Sequence, residues 1–439
     1  MILESKLHIS GRVKLKNAIY ISFFLISLIS ILPTNSVLSQ QDSLKTKQQD
    51  SVKQRDFMDV LKSLFKKKDT VPKPPKKTNI SLLPGLGYNP SFGFLVGITV
   101  AGGMQLGNKE NTTYSAFNLA ASITTKGNIT LRARHNISAP GNLWNWQGDW
   151  QITNMGVQDY GLGIPITKSR GFAFNEVSTK DVDSSFPIRY TYVKLFEKVY
   201  RNIGKYLYAG GGISFDMMFS IDDKKLSTIP NTPHQKYSLE HGFDTTKYSA
   251  NGLIIGFLFN SRDHPNRPYK GLYADISFRF NQTWLGSKQN SILAMYDIRK
   301  YWSLSKRNPE HVIALWHWAT YTLDGAMPYL QLPGTAGDIY QRSGRGYTFG
   351  RFKGPSFAAF EMEYRFPVTS DKLFSGVIYF NMQTASDDKD LKVFERWAPA
   401  GGIGIRILFN KHSRTNLSLD FAKGKYGSLG LFSGLNEVF

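Results

Sequence analysis

The sequence predicts an all-β fold, a transmembrane antiparallel β-barrel of about 16 strands, and three observations predict it. Segments of about 10–14 residues alternate apolar and polar side chains with period two, longer than ordinary soluble strands. An export segment stands at the N-terminus, and no later run is long and apolar enough for a spanning helix. Aromatic residues make up 14% of the chain and glycines number 39, a mix that suits aromatic girdles and tight turns. Only helices and closed barrels satisfy their backbone in lipid, so membrane residence falls to strands.

Residues 1–39 read as a cleaved signal peptide. Arg12, Lys14 and Lys16 precede the apolar run Ala18–Leu32, and Val37-Leu38-Ser39 offers a cleavage site. Residues 40–79 are polar, lysine-rich and proline-punctuated, and read as a disordered basic periplasmic tether. Within it, Asp56–Phe65 carries Phe57, Val60, Leu61, Leu64 and Phe65 on one helical side. A transient linker helix is the favoured reading over a docked one.

Residues 80–439 read as the outer-membrane barrel. The expected strands are 92–105, 112–124, 127–138, 144–155, 160–174, 187–200, 204–220, 248–260, 270–283, 289–303, 309–323, 356–367, 373–384, 397–410, 413–425 and 428–439. The alternation is plain in the ninth, where Leu272, Ala274, Ile276, Phe278 and Phe280 oppose Tyr273, Asp275, Ser277 and Arg279. It recurs at Phe360–Phe366, Gly402–Phe409 and Asn416–Phe421, and is weakest at 160–174. An even strand count puts both ends of the barrel on the periplasmic side. Two long insertions, 221–247 and 324–355, then follow the seventh and eleventh strands and face outward.

The net charge is +21, with no cysteine. Disulfides and thiolate metal sites are excluded. A basic balance fits nucleic acid in general, but an exported chain meets none. Outer-membrane lipid and anionic lipopolysaccharide are the expected partners, with a periplasmic protein reached through 40–79 as a further one. No enzyme is expected: Gly-x-Ser-x-Gly, His-Glu-x-x-His and phosphate-loop patterns are missing. His234, His241 and His264 lack metal-ligand spacing and read as solvated loop residues, and Asp387-Asp-Lys-Asp390 reads as a solvated turn. No metal or cofactor is expected.

Several motifs stand in a definite order. Leu83-Pro-Gly-Leu-Gly-Tyr-Asn-Pro90 is followed by Gly93-Phe-Leu-Val-Gly97. Asn260-Ser-Arg-Asp263 is followed by Pro268 and Gly271. Then come Gly344-Arg-Gly-Tyr347, Glu363-Tyr-Arg-Phe-Pro367 and a terminal Phe439. In these motifs the chain from about Ile80 to Phe439 resembles the BamA/TamA family of outer-membrane assembly and translocation barrels, the bacterial surface antigen family.

The resemblance implies that loop 324–355 folds into the lumen. There the motif Arg345, Gly346 and Tyr347 would place a guanidinium against lumen-wall carboxylates, a role a planar fork fills better than lysine. Gly346 would allow close backbone approach. Glu361 and Glu363 are the nearest candidate acceptors. The family's Phe-Asp-x-Gly maps onto Phe380-Asn-Met-Gln383, so Asn381 stands where an acid is expected and is a third, neutral candidate. Arg262, Asp263, Pro268 and Gly271 read as turn architecture, with Asp263 capping amides ahead of Pro265. Phe439 would serve as the C-terminal aromatic signal. The family carries POTRA domains before its barrel, each longer than this 40-residue tether, so a barrel without them is expected.

The resemblance implies help with insertion or translocation of proteins or lipids at the outer membrane, through a weak seam between 92–105 and 428–439. Gly93, Gly97, Gly102 and Gly103 would weaken one edge and Gly427, Gly430 and Gly434 the other. A passive porin-like or structural barrel, and a barrel that docks a partner without insertase activity, are the alternative readings.

Overall fold

Strands that alternate lipid-compatible and polar side chains turn the polar face inward, and the computed structural model shows this inversion. It describes residues 54–64, 78–89, 93–108, 110–165, 185–229, 231–411 and 413–439. Residues 1–39, expected to be a signal peptide, and most of 40–79, expected to be a tether, lie outside the described residues.

One sheet holds sixteen strands in sequence order, each antiparallel to the next. They are β1 Thr78–Asn89, β2 Gly93–Met104, β3 Ser115–Thr124, β4 Ile129–Ser138, β5 Trp144–Asp159, β6 Phe186–Gly204, β7 Leu207–Asp223 and β8 Tyr248–Asn260. β9 Gly271–Asn281, β10 Ser291–Ser303, β11 Val312–Gly325, β12 Ser356–Pro367, β13 Phe374–Ala385, β14 Ala398–Asn410, β15 Thr415–Gly424 and β16 Leu429–Leu435 complete it. Parity sorts the side chains. In β4, Leu131 is 53% exposed while its neighbour Arg132 is 8% exposed. Leu253, Ile255 and Phe257 of β8 face out, and Ile254 and Leu258 face in. The interior holds Asp149, Asp216, Asp275, Glu363, Arg365, Arg406 and Asp420, all buried. Such charges are tolerated there because they pair, and they would be costly on the lipid face.

The strand count agrees with expectation through two compensating differences. Residues 78–89 form β1, a strand the alternation did not reveal, because Pro84, Gly85 and Gly87 interrupt it. A proline fits there because β1 is an edge strand in the ladder order. Conversely, 160–174 is not a strand over its described part, 160–165. Gly161 and Gly163 take φ of 78° and 73°, and Pro165 lacks an N–H, so the ladder stops. From β6 onward the expected numbering is restored, so 221–247 and 324–355 do follow the seventh and eleventh strands.

The seam therefore moves. The first edge is β1, not 92–105, and the edge glycines are Gly85 and Gly87 rather than Gly93, Gly97, Gly102 and Gly103. β16 has seven residues and pairs with β15 from Leu429 to Leu435. β1 and β16 lie beside each other, but no ladder joins them among the described residues.

Ahead of β1, helix α1 (Phe57–Leu64) docks on the barrel, contrary to the transient-helix expectation. Asp56 and Asp59 cap it reciprocally. Phe57 stacks on Phe409 with ring centroids 5.7 Å apart, and Asp59 accepts from Lys411 Nζ at 2.5 Å. Arg55 N donates to the carbonyl of Asp371 at 3.0 Å. The helix thus grips the β12–β13 and β14–β15 turns. In the insertion after β7, helix α2 (Pro233–Glu240) begins at Thr232, whose hydroxyl accepts from Gln235 N, and buries His234 and Tyr237. His234 is thus buried rather than solvated.

Candidate functional site

The β11–β12 connection returns into the barrel because its own turns fold it there. Thr335 N donates to Phe352 O at 2.8 Å, and a bridge pairs Gly334 with Lys353. Asp338 Oδ1 accepts from Arg342 N at 2.8 Å and Ser343 N at 2.7 Å, a side-chain-nucleated turn. Gly346 has φ of 103°, and a Cβ there would stand 2.8 Å from Ala400 Cβ, so only glycine fits. Tyr347 donates its hydroxyl to Pro399 O at 2.6 Å and accepts from Lys425 N at 2.8 Å. These contacts fix both flanks of Arg345.

Arg345 is buried among three carboxylates. Its Nη2 donates to Glu361 Oε1 and Glu363 Oε1, and its Nη1 donates to Asp420 Oδ2 at 2.9 Å. The guanidinium carbon lies 3.5 Å from the Tyr379 ring centroid, adding a cation–π contact. Burial works against the Arg345 charge, but Glu361, Glu363 and Asp420 outweigh it and raise its pKa above the ordinary arginine value. Two further arginines balance the acids. Arg365 Nε donates to Glu363 Oε2 at 2.7 Å, and Arg406 Nη1 donates to Asp420 Oδ1 at 2.6 Å.

The structure places Arg345, Glu361 and Glu363 together. Asn381 is adjacent in a different role: its Nδ2 donates to the Arg345 carbonyl at 2.8 Å, so it holds the loop backbone instead of receiving the guanidinium. The acid displaced from that position is supplied by Asp420 on β15. Sequence reading missed it, although its inward parity between Leu419 and Phe421 was visible.

The turn residues gather elsewhere, at the β8–β9 connection. Asp263 caps the far end of the turn, not the amides ahead of Pro265. Its Oδ1 accepts from Tyr269 N at 2.8 Å and Lys270 N at 3.2 Å, and its Oδ2 accepts from Arg414 at 2.7 Å. Pro268 lies in the same turn, buried beside Arg267 and just ahead of the two amides that Asp263 accepts from. Arg262 lies over the Tyr273 ring at 4.3 Å. Gly271 has φ of 112°, and a Cβ would fall 2.4 Å from Ser261 O. Phe439 is buried against Trp316, with centroids 5.2 Å apart.

The arrangement holds no nucleophile–base pair, and no metal-ligating group of His, Asp and Glu occurs among the described residues. Its geometry is that of a clasp: one cation on a returning loop is shared by acids of β12 and β15.

Comparison with known proteins agrees with this architecture. BamA from Haemophilus ducreyi lacking POTRA domains 1–3 superposes with a TM-score of 0.53 at 13% identity, over 83% of this chain and 71% of that one. CdiB from Acinetobacter baumannii (TM-score 0.48, 12% identity) and CdiB from Escherichia coli (0.49, 8%) each match 83% of this chain. The chain spans only 60% and 63% of those two proteins. No curated relative matches by sequence. The model of the Omp85 superfamily domain matches residues 96–426, and the chain therefore belongs to the Omp85 superfamily of outer-membrane barrels.

Proposed function

We propose that this barrel assists insertion or translocation of proteins or lipids at the outer membrane, with the β1–β16 seam as the working element. The observation that carries the reading is the seam. β16 is seven residues long beside a twelve-residue β1, and no ladder joins them among the described residues. Two strand edges left side by side present unpaired N–H and C=O groups, which template an incoming strand by edge pairing. The clasp at Arg345 serves as the fixed anvil: it ties the returning loop to β12 and β15, so the strand beside β16 stays put while the seam works. Membrane lipid at the apolar wall, and lipopolysaccharide at the outer rim, are the partners this reading implies.

The passive-pore alternative predicts a different behaviour, and one experiment separates them. The barrel is reconstituted in lipid vesicles, and a urea-unfolded outer-membrane barrel is added as client. The proposal expects folding of the client to accelerate about tenfold or more over empty vesicles. No acceleration, together with large steady conductance, would favour the passive pore.

A further inference from the structure

After β16 the chain leaves the wall. Asn436 adopts φ of 68° and its N–H donates to Asn416 O at 2.7 Å, which turns Glu437, Val438 and Phe439 into the lumen. Glu437 is 4% exposed, yet every face of its carboxylate is engaged. Oε2 accepts from Arg406 Nε at 2.8 Å, and Oε1 accepts from Asn416 Nδ2 at 2.8 Å. Arg267 Nε stands 3.4 Å from Oε1, and Arg365 Nε 4.0 Å from Oε2. Arg342, from the returning loop, donates to the carbonyls of Leu435 and Glu437. The Phe439 ring stacks on Trp316, and its carbonyl accepts from Arg365 Nη2 at 2.9 Å.

This set is a built receptor for three residues. It takes one carboxylate and one aromatic ring, and its walls come from β11, β12, β14, β15 and the β8–β9 turn. It also shares its cations with the clasp. Arg406 bridges Glu437 to Asp420, and Arg365 lies between Glu437 and Glu363. Asp420 and Glu363 are two of the three acids that hold Arg345.

We propose that Asn436–Phe439 is a latch. Glu437 and Phe439, seated in this receptor, hold the periplasmic end of β16 inward, and they must leave it before that strand can separate from its neighbours. The latch deepens the seam reading above and rests on it only for the identity of the moving strand. Because Arg406 and Arg365 serve both sites, withdrawal of Glu437 leaves them with one acid fewer and shifts them onto the clasp acids. Release of the tail is therefore linked to the Arg345 clasp, because Arg406 and Arg365 then compete more strongly with Arg345 for Asp420 and Glu363. Burial disfavours the Glu437 charge, but Arg406, Arg365 and Arg267 overcome it and hold the carboxyl well below the usual glutamate range.

The chain has no native cysteine, so a single cysteine reports the latch. Val438→Cys is labelled with a charged maleimide in the full-length barrel, in detergent, with and without Glu437→Gln. Barrel integrity is read from the heat-modifiable mobility on a cold gel. We expect labelling to be at least tenfold faster with Glu437→Gln, and Glu437→Asp to give an intermediate rate. If Glu437→Gln does not assemble, Arg342→Gln removes the two donations to the tail carbonyls, together with a cation–π contact to Tyr340 within the loop, and is expected to accelerate labelling several-fold. Equal rates in an intact Glu437→Gln barrel would overturn the latch, as would equal rates in an intact Arg342→Gln barrel where that variant is the one that assembles. Neither readout uses a client. Faster labelling without client folding in the vesicle assay leaves the latch standing and removes the insertion reading.

Discussion

Glu363 holds Arg345 with one carboxylate oxygen and Arg365 with the other. A loop residue and a wall residue are thus fastened through a single buried side chain. A buried ion pair with satisfied hydrogen bonds is costly to break from one side, because the remaining charges stay in a dry place.

That asymmetry sets the first prediction. Arg345→Ala leaves Glu361, Glu363 and Asp420 facing one another, with Arg365 and Arg406 as their remaining cations. We expect a loss of about 3–5 kcal/mol in urea unfolding. Asp420→Asn, added to Arg345→Ala, should recover part of it, with a coupling energy of about 0.5–3 kcal/mol. Strict additivity of the two substitutions would show that the residues do not act as one unit.

Gly346 supplies a second. At φ of 103°, with Ala400 Cβ 2.8 Å from any added methyl, Gly346→Ala strains the loop at both backbone and side chain. The expected cost is about 1–3 kcal/mol. Loop 324–355 should then become sensitive to added protease in otherwise folded barrels. Unchanged protection would remove the close-approach argument.

His234 gives the pH dependence. Burial lowers its pKa from 6.5 to about 4, with Asp159 pulling upward and Lys353 downward. Asp223 stands 3.9 Å away, and Tyr248 and Tyr329 pack around the ring. The folded chain keeps the imidazole neutral, while the unfolded chain protonates it near 6.5. Its contribution is complete above about pH 6.5 and declines as pH falls toward 4, by up to about 1.4 kcal/mol per unit. Once exchange is corrected for its intrinsic rate, which itself slows as pH falls, the opening of 231–247 should increase as pH falls from 7 to 5. His234→Gln should flatten that dependence, and a wild-type slope in the variant would assign it to another group.

The docked helix α1 makes a fourth. Lys411→Ala removes the charged contact with Asp59, a half-exposed pair worth about 0.2–1 kcal/mol. Phe57→Ala removes the stack on Phe409. The single change should loosen the helix slightly, and the pair should expose 55–64 to proteolysis without touching barrel stability. Resistance of the double variant to cleavage would mean that other contacts hold the helix.

Much of this architecture was legible because period-two alternation survives wherever one face meets lipid and the other a charged lumen. It failed at β1, where Pro84, Gly85 and Gly87 blur the pattern, and at 160–165, where apolar residues line a loop that turns into the lumen. Glu361 and Glu363 were readable from parity on β12 beside the Arg345 motif. Asp420 was not, because it joins them only through the register of β15, 75 positions along the chain from Arg345. The buried state of His234 depends on how α2 packs against the returning loop, which no local pattern encodes.

The most direct test of the account locks the seam. One cysteine is placed on β1 and one on β16, in a chain that has no native cysteine, and client folding is followed in vesicles under oxidising and then reducing conditions. The account predicts that the oxidised barrel loses the acceleration and that reduction restores it. Equal acceleration in both states would contradict the claim that the β1–β16 seam is the working element.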